Sequence, residues 1–136
     1  KKVFFEVAYY WGLAGGTMAL LTPDLLYAFP DVEWFPFFTG HGVMIMAIFF
    51  SMFCHNIFPT KHSYRRVVLI TLSLLPVIYI INTLLGPPAN YWYLNTKPEA
   101  DSVMSFMPSP PFHIPITVGI ALGIFYLLHI PFRKKL

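Results

Sequence analysis

Residues Phe35 to Phe58 read FPFFTGHGVMIMAIFFSMFCHNIF. The run carries no charge, and it is long enough to cross a bilayer, which takes about 20 apolar residues. Near its start one imidazole stands between two glycines, Gly40-His41-Gly42. A titratable side chain is costly to bury in lipid, so it faces other helices or a cavity. The expectation is an all-α polytopic transmembrane bundle with His41 as its most informative residue.

Composition supports that class. The chain has 136 residues, 57% hydrophobic and 11% charged, and its mean hydropathy is +0.62. Soluble domains carry about 25% charged residues. So few charges cannot cover an apolar core with a polar surface, so lipid must supply part of the surroundings. A single cysteine excludes an intrachain disulfide. The net charge of +3 comes from clusters and forms no basic stripe, so nucleic acid is not an expected partner. The chain opens on Lys1-Lys2 and runs straight into an apolar stretch, which is unlike a signal peptide. It reads as a chain entered partway through a larger bundle.

Working outward, four spans are expected within one transmembrane domain covering residues 1–136: about 3–21, 35–58, 67–85 and 114–132. The first contains Gly12, Gly15 and Gly16, and small residues at four-residue spacing let helices approach closely in lipid. Thr22-Pro23-Asp24 should end it. Trp34 is placed to anchor the second span at the interface. Pro76 falls inside the third span, where a kink is expected, and Asn82 lies near its far end. Gly119 and Gly123 form a second small-residue pair in the fourth span. The connection 86–113 is rich in Pro, Tyr and Trp. It should fold back on the membrane surface, with a short re-entrant segment around Val103 to Met107.

Basic residues set orientation. With the N-terminus cytoplasmic, Lys1, Lys2, Lys61, Arg65, Arg66, Arg133, Lys134 and Lys135 fall inside, and only Lys97 falls outside. Of the acids, only Glu6 is not on the outer side. Both termini are therefore expected in the cytoplasm.

Running the spans antiparallel at about 1.5 Å per residue places polar groups in two layers. His41, Asn82 and Thr17 share an outer layer, with Thr22 and Asp24 above. Glu6, His55, Asn56 and His129 share an inner one. The outer layer is the candidate site, with His41 and Asn82 as candidate catalytic residues. A His whose tautomer is fixed by a neighbour can act as a general base, and the same His can equally serve as an interhelical hydrogen bond. The inner layer lacks a ligand-spaced motif, so no metal or cofactor is expected, and a Glu6–His55 contact near the interface, or snorkelling of these side chains, is the simpler account. Cys54 cannot pair with His41, which lies 13 residues back, about 20 Å along the axis. It reads as a buried small apolar residue.

The stretches YYWGLAGGTMALLTPDL, FPFFTGHG, INTLLG and NYWYLNTKP together resemble the YwaF family of multi-pass membrane proteins, found mainly in bacteria. That family is similar to eukaryotic transmembrane protein 164, a membrane acyltransferase acting on ether phospholipids. The resemblance covers nearly the whole chain. It implies a bundle of about six or seven spans in a bacterial cytoplasmic membrane, of which this chain is the C-terminal portion. His41 matches the family's intramembrane His, and Asn82 matches the Asn before Leu-Leu-Gly. Pro23, Asp24, Gly86, Asn90, Tyr91 and Pro98 also match. In the acyltransferase relatives the proposed nucleophile is a Cys on an upstream span, a context that Cys54 lacks. The stretch Met107-Pro108-Ser109-Pro110-Pro111 departs from the Gly-Pro-Trp-like pattern of the family.

Two functions follow as expectations. The first is a phospholipid acyltransferase or transacylase-like bundle using His41. The second is a non-enzymatic membrane protein, a transporter subunit or assembly partner, in which His41 bonds between helices. Membrane lipids are the expected partners, with upstream spans or other subunits.

Overall fold

The computed structural model describes residues 2–25, 27–99 and 102–133. Lys1, Asp101, Lys134 and Lys135, whose charges enter the orientation argument, lie outside them. The fold is helical: α1 (Lys2–Leu21), α2 (Trp34–Cys54), α3 (Ser63–Leu85) and α4 (His113–His129). Short 3-10 turns follow at Ile130–Phe132 and interrupt the α3–α4 connection at Tyr91–Tyr93 and Val103–Phe106. The last of these stands where a re-entrant segment was expected.

Three stretches are long and apolar enough to cross a membrane: Trp34–Cys54, Ser63–Leu85 and His113–Phe132. The fourth long helix, α1, differs in kind. It buries Glu6, Tyr9, Tyr10, Gly12, Ala14 and Gly16, whereas α2 buries only Ile48 and Met52. It also packs against each of the other three long helices. Helix α1 is thus the hub, and the apolar run that dominates the sequence lies on its flank.

Local chemistry sets the ends. Thr22 donates its hydroxyl to the Met18 carbonyl at 2.9 Å, just before Pro23 stops α1. The second helix ends at Cys54 and not at Phe58, because Asn56 turns left-handed with φ 52°. The third starts at Ser63, earlier than the expected 67, because the basic Tyr64-Arg65-Arg66 segment is recruited into its first turn. There the Thr60 amide donates to Ser63 Oγ at 2.6 Å. Pro76 sits inside α3 without interrupting it.

Gly12 and Gly16 face α2 directly. A Cβ on Gly12 would lie 2.6 Å from Ile48 Cδ1, and one on Gly16 would lie 2.5 Å from Met44 Cε. The order, 12 to 48 and 16 to 44, shows the two helices antiparallel. Gly119 and Gly123 meet nothing within 4 Å, so the second pair makes no seam among the described residues.

At the end holding the α1 start and the α2–α3 loop, Glu6 is fully buried. Ser63 donates to its carboxylate at 2.7 Å, and Arg66 pairs with its other oxygen. The expected Glu6–His55 contact does not form. His55 is exposed and edge-on to Phe50 because α2 ends before its last turn can face α1. Close by, Tyr10 and His129 share a 2.8 Å hydrogen bond, and Tyr9 donates to the Leu128 carbonyl at 3.1 Å. The Tyr64 ring stacks on His129. Cys54 is exposed and not buried, since the end of α2 is uncovered.

Removing one partner of a buried ion pair costs about 3–5 kcal/mol. Arg66 is partly exposed, so Arg66→Ala should cost about 3 kcal/mol, read as a lowered unfolding midpoint in detergent by far-UV circular dichroism. Gly12→Leu should cost about 1–3 kcal/mol through overpacking against Ile48. Wild-type midpoints for both would contradict this account of α1.

Candidate functional site

The other end of the bundle is organised by the α3–α4 connection. Asn82 is fully buried on α3. Its amide nitrogen donates to the Tyr91 carbonyl at 3.0 Å, and its oxygen accepts from the Tyr91 amide at 2.9 Å. This two-sided grip fixes where the chain turns after α3. Asn90 knits the next segment: its oxygen accepts from the amides of Asn95 and Thr96, and its nitrogen donates to the Thr96 carbonyl and hydroxyl. Lys97 donates to the Met107 carbonyl at 3.1 Å and draws the second turn over the first.

Between the two asparagines, Trp92 and Tyr93 adopt left-handed backbone, φ 59° and 52°. Such a conformation costs a bulky residue about 1–2 kcal/mol and concentrates at functional sites. Here the asparagine bonds hold it. Tyr93 becomes a junction. Its hydroxyl donates to Asp24 Oδ2 at 2.9 Å, tying the loop to the α1 exit. Its carbonyl accepts from His113 Nε2 at 2.7 Å, tying the loop to the start of α4. Burial, then the Asp24 hydrogen bond and charge, push the Tyr93 phenol up to about 12. It therefore stays a neutral donor throughout the neutral range.

These links enclose a cavity of about 570 Å³, within the range of about 300–1,000 Å³ for small-molecule sites. Its floor is Trp11, Thr71 and Phe125, and most of its wall is apolar, from α1, α4 and the loop. Trp11 donates its indole N–H to Thr71 Oγ1 at 2.9 Å and stands edge-on to Trp92. The polar residues of the lining include Thr22, Asp24, His41, Tyr93, Ser102, His113 and Thr117. Lining residues Gly15, Val103 and Ile120 are exposed, so the cavity opens through the flank of the bundle between α1 and α4.

His41 lines this cavity from α2. Its Nδ1 lies 2.7 Å from the Phe37 carbonyl one turn earlier. A carbonyl only accepts, so Nδ1–H donates, and in the neutral ring Nε2 carries the lone pair. Asn82 is absent from the lining; it acts on the cavity through the Tyr91–Tyr93 turn. Thr17 sits on the exposed face of α1, and Thr22 and Asp24 do line the cavity. Sequence reasoning missed His113, which it placed at a loop end, and the roles of Asn90 and Tyr93. The signal for His113 was an imidazole directly after Pro-Pro at the mouth of a span.

Asn82→Ala should free the Tyr91 amide and carbonyl at a cost of about 1–3 kcal/mol. Hydrogen exchange at residues 90–93 should rise at least tenfold while the helices stay protected. Unchanged exchange there would show that the turn is held by other contacts.

Among curated proteins and among solved structures nothing matches this chain significantly. A family model does match, over residues 1–129, which include the glycine seam, His41, Asn82 and the whole cavity wall. An integral membrane protein by its apolar helices, the chain belongs to the TMEM164 family.

Proposed function

We propose that this protein is a four-span bundle, with both termini cytoplasmic, that admits a lipid chain to its cavity and serves phospholipid acyl transfer. The observation that supports this most directly is the cavity itself. It is apolar over most of its wall, opens sideways between α1 and α4, and has His41, Asp24 and Tyr93 in its lining. A lateral opening suits a molecule that arrives from the bilayer.

In this reading His41 Nε2 is the base. It takes the proton of a cysteine thiol, the thiolate attacks the ester carbonyl to give a thioester, and the imidazolium returns the proton to the departing alkoxide. Cys54 is unsuited to be that thiol. It is exposed at the far end of α2, about 20 Å from His41. The thiol then comes from upstream spans or another subunit, as the family analogy implies. Asn82 is the positioning residue that sets the Tyr91–Tyr93 turn. The acyl-transfer step follows the family analogy.

The rival reading, a transporter subunit or assembly partner, draws on the open Gly119/Gly123 face of α4, which suits a neighbouring helix.

A lipid-exchange assay separates them. The full-length protein is mixed with isotope-labelled phospholipid and lysophospholipid acceptors. Under the proposal, His41→Ala lowers transfer by at least about 100-fold, as expected for loss of a general base, while Cys54→Ala leaves it intact. Gly15 has open space where a side chain would go, so Gly15→Leu should fold normally and still cut transfer by filling the cavity. Absence of transfer in well-folded wild type, across several headgroups, selects the non-enzymatic reading.

A further inference from the structure

We infer that Trp11 limits the length of the acyl chain that the cavity accepts, stopping a chain whose ester lies at His41 after about 12 Å. The inference rests on the reading of the cavity as an acyl-transfer site and adds a specificity-determining residue to it.

Two marks define the gauge. The upper one is His41. The glycine seam pairs Gly12 with Ile48 and Gly16 with Met44, so His41 stands level with Ala19, and both line the cavity. The lower mark is Trp11, the lining residue nearest the start of α1. From residue 19 down to residue 11 is about 12 Å along the helix axis. Trp11 is not placed as an interfacial anchor. Tryptophan gathers at the ends of membrane spans, whereas Trp11 stands midway along Lys2–Leu21. Its N–H is satisfied inside the bundle by Thr71 Oγ1, whose own hydrogen goes to the Val67 carbonyl at 2.8 Å. Its ring is edge-on to Trp92, with centroids 5.2 Å apart. Across the floor, Phe125 rests on Tyr10 with centroids 5.6 Å apart, and Tyr10 is hydrogen-bonded to His129. A chain cannot push this floor down without breaking those links. Nor can it slip out sideways at that depth. The exposed lining residues among those described are Gly15, Val103 and Ile120. Gly15 is one turn above Trp11, and below it Ala14 and Phe125 are buried.

A stop of this kind is how a cavity inside a membrane can read chain length. Lipid tails are as apolar as leucine, so an added methylene gains nothing by leaving the bilayer for the cavity. Discrimination comes from overrun instead. Forcing extra methylenes into a packed site lowers affinity by about fivefold or more. An acyl chain of one leaflet spans about 15 Å, half of the hydrocarbon core. The cavity therefore selects acyl groups shorter than the chains of the bilayer around it.

The test uses the full-length protein in nanodiscs, on a Trp34→Phe background, so that Trp92 reports from the cavity wall in parent and variants alike. A lysophosphatidylcholine brominated along its chain is bound first and quenches that fluorescence. Unbrominated lysophosphatidylcholines of increasing saturated chain length then displace it, compared at equal mole fraction in the bilayer. In the parent, displacement should be level for short chains and weaken by about fivefold or more once the chain exceeds about 12 Å. Trp11→Ala should move that break to longer chains. A break that stays in place in Trp11→Ala, or the absence of any break in the parent, overturns the gauge and leaves the cavity reading standing. Absence of quenching by the brominated lipid in the parent overturns the cavity reading and the inference with it. Should Trp11→Ala fail to fold, Trp11→Phe decides. It keeps an aromatic ring against Trp92 but shortens the stop, so the break should move to longer chains by a smaller step, and an unmoved break overturns the assignment.

Discussion

A carboxylate with no exposure to solvent, that of Glu6, holds one end of this bundle together. Lipid tails are as apolar as leucine, so burying apolar surface between helices gains little inside a membrane. Close packing and polar links must decide which helices meet. Glu6 satisfies one oxygen with Ser63 and the other with Arg66, both in the first turn of α3. Tyr10 and His129 add a second link, from α1 to α4. Those links explain why α1 occupies the middle, where its polar side chains find partners.

The opposite end follows a different rule. There the loop between α3 and α4 links the α1 exit to the α4 start. The loop keeps its shape through asparagine side chains that substitute for secondary structure. Asn82 grips both backbone groups of Tyr91, and Asn90 reaches across to Thr96. Tyr93 then ties the α1 exit to the α4 start through Asp24 and His113. A bundle fastened at one end and propped at the other leaves a wedge, and the cavity is that wedge. The depth of the site is thus a consequence of where the polar links fall along α1.

Much of this was legible in the sequence, for identifiable reasons. Length and hydropathy of the runs placed the helices, and Thr22-Pro23 and Gly86 marked two ends correctly, because those signals act within a few residues. The Gly12/Gly16 pair was readable as a seam, but spacing alone did not decide it, since Gly119 and Gly123 share the spacing and face nothing among the described residues. The partner of Glu6 was not readable. Depth along the axis grouped it with His55, but helix rotation and the early end of α2 decide contact, and neither shows in composition. For the same reason Cys54 was misplaced inside. At the site, His41 was visible because an imidazole in an apolar run is rare. His113 was hidden by its prolines, which made it look like loop. The left-handed turn at Trp92 and Tyr93 has no sequence signature, because it is imposed by Asn82 and Asn90 from outside the turn.

The two cavity imidazoles bear on the choice between chemistry and transport. Each is pinned to a backbone carbonyl, His41 through Nδ1 and His113 through Nε2. In each the pinned nitrogen carries a hydrogen, and in the neutral ring the lone pair lies on the other. A proton relay needs an imidazole that accepts on one nitrogen and releases from the other to a further acceptor. Here the releasing nitrogen points into a main-chain carbonyl, which does not take up a proton, so the path stops at the first residue. A base in an acyl transfer has the opposite requirement. It must accept a proton and return it from the same nitrogen, with the ring held still in between. Pinning one nitrogen does that, and it ties the tautomer to the helix and not to solvent.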